Sequence, residues 1–245
     1  MKVILHNQYQ LSHSRNYDIM MLTKTNNIDS SNTLNNWPVV GTLLFLTGIA
    51  GIPAMFGVAL VALGVLGFTG ESSLINNIHF AKPGAMFVHG GAGVLFFLTM
   101  PFQFSPKVRE NNPKRHKLAG RIAVISGCIM AISGVWMHNV LSPESQGVRY
   151  SILIVTSMAI CSSFLIALYY VIKGNIQVHQ LWMARSIAIV LAAITPLFID
   201  ILILIIFSNF EVIYTMLTQF QYDYGRLLGI VINLSIVEII MRKSN

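Results

Sequence analysis

Residues 150–172 read YSILIVTSMAICSSFLIALYYVI and carry no charged side chain. A helix rises about 1.5 Å per residue, so this stretch is long enough to cross the roughly 30 Å hydrocarbon core of a bilayer. Five further apolar stretches accompany it, at residues 39–68, 84–104, 118–138, 181–207 and 226–241. The pattern predicts an all-α integral membrane protein, an antiparallel bundle of about six transmembrane helices that forms one domain over residues 38–245.

The positive charges are distributed unevenly between the loops. When alternate loops are assigned to opposite faces of the membrane, thirteen of the sixteen Lys and Arg residues fall on one side. The exceptions are Lys82, Arg149 and Arg226. This positive-inside bias predicts a multi-pass protein with both termini in the cytoplasm.

The composition supports the membrane assignment. Hydrophobic residues make up 54% of the chain and charged residues 10%, against roughly 25% charged residues in soluble domains. The net charge of +7 lies in juxtamembrane loops, which argues against nucleic-acid binding. The loop at residues 107–117 carries several basic residues and a single acidic residue, Glu110. We expect this positive loop to attract anionic lipid. Cys128 and Cys161 lie in apolar stretches, so no disulfide framework is expected.

Residues 1–37 are polar and lack a sustained hydrophobic period, which predicts a disordered cytoplasmic tail. No cleavable signal peptide is visible, and a start at Met20 or Met21 would shorten the tail. The first apolar stretch, 39–68, is longer than one crossing requires and contains Pro53. Two interpretations of it stay open: one tilted, kinked helix, or a broken and partly re-entrant segment.

Polar side chains are costly inside a bilayer, so those that remain there are candidates for function. Four histidines stand near predicted helix ends and pair by depth. His116 and His179 lie on the predicted cytoplasmic side, whereas His89 and His138 lie on the outer side. Histidine pairs at two depths predict axial ligands of b-type haem, as in membrane cytochromes whose four-helix cores carry two haems.

Three glycines allow a second interpretation of the same helices. Gly120, Gly127 and Gly134 fall on one stripe of the helix that carries His116 and His138. Small residues let a flat cofactor approach the backbone closely, but they equally let another helix do so. In the alternative interpretation, the histidines lie at headgroup level and the glycines serve helix packing. Both interpretations stay open at this point.

Two arginines follow histidines at similar spacing. Arg121 lies five residues beyond His116, and Arg185 lies six residues beyond His179. Helical side chains lean toward the N-terminus, so both arginines are able to reach back to the cytoplasmic surface. Alternatively, they form an anionic site for a lipid headgroup, a quinone-like ligand or a haem propionate.

Further polar groups lie within or beside the apolar stretches. Asp200 is at a depth similar to that of His89, and a contact between the two would satisfy both groups and relay protons. Gln103 lies at the end of the second stretch as an intramembrane polar residue. Glu238 has a simpler explanation, because Arg242 follows it by one helical turn.

Several separated motifs together follow a known family pattern. They are His89 with Gly90 and Gly93, Pro101-Phe102-Gln103-Phe104 with Arg109, Arg115-His116-Lys117 with Gly120-Arg121, and His179 with Trp182-Met183 and Arg185. In order and in placement at helix ends they resemble the domain-of-unknown-function 2306 family of predicted bacterial membrane proteins. The family-like core covers residues 84–200, and His138 and Asp200 are not part of the pattern. The resemblance implies a multi-pass membrane protein, which we expect in the bacterial cytoplasmic (inner) membrane, and it implies no particular activity.

The sequence leaves the functional class open. It contains no hydrolase triad, phosphate loop or HExxH zinc motif, so enzymatic activity stays undecided and no metal site is predicted. The candidates are a haem-b or other redox-linked membrane subunit, a small-molecule or proton-coupled transporter, and a non-catalytic assembly or interaction protein. Against transport, no inverted repeat or pair of broken helices is evident. Association with a second copy or with another membrane protein also stays open.

Overall fold

The computed structural model describes residues 37–67, 82–144 and 146–243. The predicted tail lies outside this part of the chain except for its last residue. All regular elements of the described residues are helical, so the predicted all-α fold is confirmed. They are α1 (Trp37–Val65), α2 (Pro83–Thr99), a 3₁₀ turn (Pro101–Phe104), α3 (Pro106–Asn111), α4 (Pro113–Leu141), α5 (Val148–Ile172), α6 (Ile176–Leu191), α7 (Thr195–Phe207) and α8 (Glu211–Lys243).

The outer surface of the bundle is apolar. Every long helix exposes large hydrophobic side chains, of which Phe45, Ile132 and Leu165 are examples. Soluble proteins rarely expose continuous apolar surface on this scale. Within the described residues, five helices are long and apolar enough to cross a bilayer, and α6 with α7 makes a sixth crossing if that bent pair is one span. The chain is therefore a helical membrane protein whose apolar surface faces lipid.

The order of packing follows the order of the chain. Helix α2 packs on α1 and α4, α4 packs on α5, α5 packs on α6, and α8 closes against α6 and α7. Helices α4 and α6, by contrast, make almost no close backbone contact with each other. Phe96, Met100, Phe164 and Ile187 belong to the buried core between the helices. We call the end that carries residues 106–117 the basic end and the end that carries residues 142–144 the distal end.

The first and last apolar stretches form longer elements than one crossing needs. Helix α1 runs without interruption through Pro53, so the described part of the first stretch is one helix. Helix α8 begins at Glu211, although the predicted apolar stretch begins at residue 226. Residues 211–225 include too many polar side chains to be counted in the apolar stretch, but they are helical as well.

The sequence analysis placed one helix over residues 181–207, whereas the structure divides it into α6 and α7. The two axes differ by 48° across the break at residues 192–194. Pro196 explains the break, because proline has no N–H and its ring clashes with the carbonyl four residues earlier, here that of Ala192. The N–H groups of the break bond three residues back instead of four, which tightens the turn.

Candidate intramembrane binding site

A cavity of about 400 Å³ lies in the distal half of the bundle, where α1, α2, α4, α5, α6 and α8 meet. We call it the distal cavity, and its volume is within the roughly 300–1,000 Å³ of small-molecule and cofactor sites. Its wall is mostly apolar and is interrupted by three basic side chains, His89, His138 and Arg226. The two histidines predicted as the outer pair therefore line one cavity, together with an arginine.

His89 is held by hydrogen bonding to a neighbouring helix. Its Nδ1 lies 3.0 Å from the main-chain oxygen of Met130 and 3.3 Å from Oγ of Ser133, both on α4. A carbonyl oxygen only accepts, so Nδ1 carries the proton and donates it to Met130. In the neutral ring Nε2 then keeps its lone pair, and no hydrogen bond joins Nε2 to a described residue. His89 thus offers an unprotonated nitrogen beside the cavity.

The glycine stripe of α4 accommodates side chains from neighbouring elements. Gln103 lies over Gly120, Phe96 and Phe164 lie over Gly127, and His89 lies over Gly134. A Cβ atom at Gly134 would lie 3.3 Å from Cε1 of His89, and one at Gly127 would lie 2.8 Å from the ring of Phe164. These close approaches favour the packing interpretation of the stripe. The His89 imidazole also depends on Gly134, because a side chain at that position would crowd the ring.

His138 is held at the distal rim of the cavity by an aromatic contact. Its ring stacks on that of Tyr150, with centroids 5.1 Å apart and planes 20° from parallel. The Tyr150 hydroxyl in turn accepts a hydrogen bond of 2.9 Å from Nδ2 of Asn139. The last turn of α4 and the first turn of α5 therefore orient the second histidine of the cavity.

Arg226 is a residue of the site that the sequence analysis did not identify, since it counted Arg226 only as a boundary charge. Its side chain is partly buried in the cavity wall. No hydrogen bond, ion pair or ring contact joins its guanidinium to any residue that the structure describes. The charged group that acts on it is Arg149, which has the same sign and lies over the ring of Tyr222. The sequence did offer one signal for Arg226, which is its position at the start of an apolar stretch.

The two predicted inner histidines lie together at the basic end. Nδ1 of His179 donates to the main-chain oxygen of Ala167 at 2.9 Å, so its Nε2 is the unprotonated nitrogen by the same argument as for His89. Nδ1 of His116 is buried and has no hydrogen-bond partner among the described residues. The two imidazoles are close enough for their charges to interact, although α4 and α6 scarcely touch.

The two predicted anion-binding arginines have different surroundings. Nε of Arg185 lies 2.6 Å from Oε1 of Glu238, and its guanidinium stands 5.0 Å from the centre of the Trp182 ring. Glu238 therefore pairs with an arginine of α6 instead of with Arg242 one turn away. Arg121 is exposed and forms no ion pair within the described residues.

Asp200 and Gln103 lie outside the distal cavity. Asp200 is exposed on α7, and no hydrogen bond or ion pair connects it with His89 in the part of the chain that the structure describes. The proposed proton relay between the two has no contact to support it. Nε2 of Gln103 donates to the main-chain oxygen of Thr99 at 3.4 Å, so Gln103 serves the junction between α2 and the 3₁₀ turn.

The break between α6 and α7 forms part of the cavity wall. The N–H of Ala192 bonds to the oxygen of Ile189, which leaves the oxygen of Ala188 without its helical partner. Nδ2 of Asn233 on α8 donates to that oxygen at 3.1 Å and to Oγ1 of Thr195 at 2.9 Å. Irregular backbone at membrane depth is tolerated where it is buried in protein or lines a cavity, and this break meets both conditions.

Comparisons with curated proteins and with solved structures found no match. A family model described as "Predicted membrane protein (DUF2306)" matches residues 86–241, which is more than half of the chain. The matched segment includes His89, His138 and Arg226 of the distal cavity and His116 and His179 of the basic end. The resemblance inferred from the motifs is thereby confirmed, and the chain belongs to this family of predicted membrane proteins.

Proposed function

We propose that this protein is a redox-linked membrane subunit that binds b-type haem with its helix-end histidines. The observation that carries the proposal is the shared geometry of His89 and His179. Each donates from Nδ1 to a main-chain carbonyl of a neighbouring helix and keeps Nε2 unprotonated. Metal-ligating histidines characteristically donate their other nitrogen in this way, which fixes the tautomer and the orientation of the ring.

At the basic end, His116 and His179 would hold one haem. The buried Nδ1 of His116 lacks a partner, and leaving a buried polar nitrogen unpaired costs about 1–3 kcal/mol. A bound group that engages Nδ1 itself would remove that cost. The two histidines come from α4 and α6, two helices that make almost no close backbone contact with each other. The basic residues of the 107–117 segment offer positive charge for propionates.

At the distal end, His89 and His138 would hold a second haem. Both line the distal cavity, whose wall is mostly apolar. A haem with two histidine ligands takes up and releases a single electron. Two haems at opposite ends of the bundle would provide a route for electrons across the membrane.

We place the protein in a bacterial cytoplasmic membrane, and the charge distribution supports an orientation with both termini in the cytoplasm. In this orientation the basic end faces the cytoplasm, where the 107–117 loop would attract anionic lipid. A membrane partner or a second copy would exchange electrons with the subunit, and the exposed apolar helix faces leave room for either.

A reduced-minus-oxidised visible spectrum of the detergent-purified protein from haem-replete cells tests the proposal. We expect a b-type α-band that loses roughly half its intensity in His89→Ala and in His179→Ala, because each variant removes a ligand of one haem. Asp200→Asn is the control, since that carboxyl is exposed on α7, and it keeps the full band. A colourless protein, or a band unchanged in both histidine variants, would refute the proposal.

The break between α6 and α7 favours a second candidate, a small-molecule or proton-coupled transporter. Discontinuous helices at membrane depth recur at the binding sites of secondary transporters. This candidate predicts a colourless protein whose solute or proton flux in proteoliposomes falls in Asn233→Leu, which removes the side chain that bridges the break. A colourless protein without flux would leave the third class, a non-catalytic assembly protein.

A further inference from the structure

We infer that Arg226 binds the carboxylate of an amphipathic ligand whose apolar part occupies the distal cavity. The starting observation is that its guanidinium has no partner among the described residues. Other arginines in the bundle are engaged: Arg185 pairs with Glu238, and Arg149 lies over the ring of Tyr222. Arg121 also lacks an ion pair but is exposed, whereas Arg226 is partly buried and no described residue offsets its charge, which makes it the exception.

The surroundings of Arg226 make this exception costly. The titratable groups that face it are His89, His138 and Arg149, none of which supplies negative charge. The carboxylate closest to it along α8 is Asp223, which accepts a hydrogen bond of 3.1 Å from Gln219 and does not line the cavity. A partly buried cation without an anion is unfavourable, and a ligand that brings an anion would remove the penalty.

The chemistry of the group indicates a carboxylate. Guanidinium is planar and presents N–H donors in a fork that matches the two oxygens of a carboxylate. Arg226 is the one Arg or Lys among the residues that line the cavity, which suits a singly charged anion. A phosphate dianion would keep one negative charge unbalanced, since no second Arg or Lys lines the cavity.

The remainder of the cavity indicates an apolar body for the ligand. Gly90, Gly93 and Phe97 on α2 and the α6–α7 break form much of the wall. With about 400 Å³ available, the cavity accommodates a hydrocarbon chain or the edge of a flat ring system. The ligand is then a carboxylate at one end and a hydrocarbon at the other.

Two sources supply this chemistry. One is a haem propionate, and for that source the inference rests on the proposed function. The other is a free amphipathic carboxylate such as a fatty acid, which requires no haem. In both cases Arg226 is the residue that recognises the charged group.

The experiment compares paired probes on the full-length protein in detergent. Haemin and haemin dimethyl ester are the first pair, and dodecanoate and dodecanol are the second; each pair differs only in whether the carboxylate is free. We expect the wild-type protein to prefer the free carboxylate of at least one pair. We expect Arg226→Gln to weaken that binding by about tenfold to a hundredfold, the range for a lost charge-assisted hydrogen bond.

Arg242→Gln is the matched control, because Arg242 is exposed on the same helix and does not line the cavity. It should keep the preference, whereas Arg226→Lys, which lacks the fork, should keep only part of it. Preference for dodecanoate in a colourless protein would uphold the inference and refute the haem function. Haem binding with no preference for haemin over its dimethyl ester, and no preference for dodecanoate over dodecanol, would uphold the haem function and overturn the inference. The inference is overturned if the wild type binds neither acid or if Arg226→Gln binds both as the wild type does.

Discussion

Replacing Gly127 by alanine should destabilise the bundle through a collision at the centre of its core. The new Cβ would lie 2.8 Å from the ring of Phe164 and 3.0 Å from that of Phe96. Carbon atoms pack at about 3.5–4.0 Å, so both contacts are too short. The two rings already form an edge-to-face pair with centroids 6.2 Å apart, and both are buried, so neither ring can withdraw freely.

The magnitude follows from two opposing effects. Overpacking of a filled core costs about 1–3 kcal/mol, whereas Gly→Ala in a helix gains about 0.8–1.0 kcal/mol in propensity. Gly91→Ala isolates the second effect, because nothing lies within 4 Å of a Cβ at that position. The free energy of unfolding of Gly127→Ala should therefore lie about 1–3 kcal/mol below that of Gly91→Ala.

Unfolding in mixed micelles with a rising fraction of sodium dodecyl sulfate, followed by tryptophan fluorescence, measures this difference. Gly91→Ala should be as stable as the wild type or more stable. If Gly127→Ala were as stable as Gly91→Ala, the close packing of Phe96 and Phe164 on the glycine stripe would be wrong. The stripe would then be free to accommodate a flat cofactor instead.

Two further predictions concern the contacts of α6. Asn233→Leu leaves the oxygen of Ala188 unpaired and should lower the free energy of unfolding by about 1–3 kcal/mol, whereas Asn209→Leu in the exposed α7–α8 turn should have little effect. Equal effects of the two leucine variants in the micelle assay would argue against the role of Asn233. A double-mutant cycle on Arg185→Gln and Glu238→Gln should give a coupling energy of about 0–1 kcal/mol that falls with added salt, because both side chains are partly exposed. A larger coupling that salt does not change would mean that the pair is shielded from solvent.

The helices could be predicted from the sequence because lipid imposes a simple condition. Backbone groups have no water partner in the hydrocarbon core, so an apolar stretch of sufficient length becomes a helix. Residues 150–172 illustrate this, since α5 differs from the prediction only by two residues at its start. The length of an apolar stretch does not determine the direction of the helix axis along it. The bend between α6 and α7 was therefore overlooked, although Pro196 was visible in the sequence.

The candidate site could be predicted only in part. Histidines and glycines in an apolar helix stand out in a sequence, and the structure brings His89 and His138 to one cavity. What could not be predicted was their hydrogen bonding, because the carbonyl that His89 reaches belongs to a residue far away in the chain. The same holds for Glu238, whose nearest arginine in sequence is not its partner in space. Arg226 was overlooked because its significance depends on the absence of a nearby anion.

The ratio of haem to protein tests the central claim most directly. A pyridine haemochrome assay on protein purified from haem-replete cells, combined with quantitative amino-acid analysis, measures it. The account predicts about two b-type haems per chain, since a histidine pair stands at each end of the bundle. Protein that carries no haem under these conditions would contradict it.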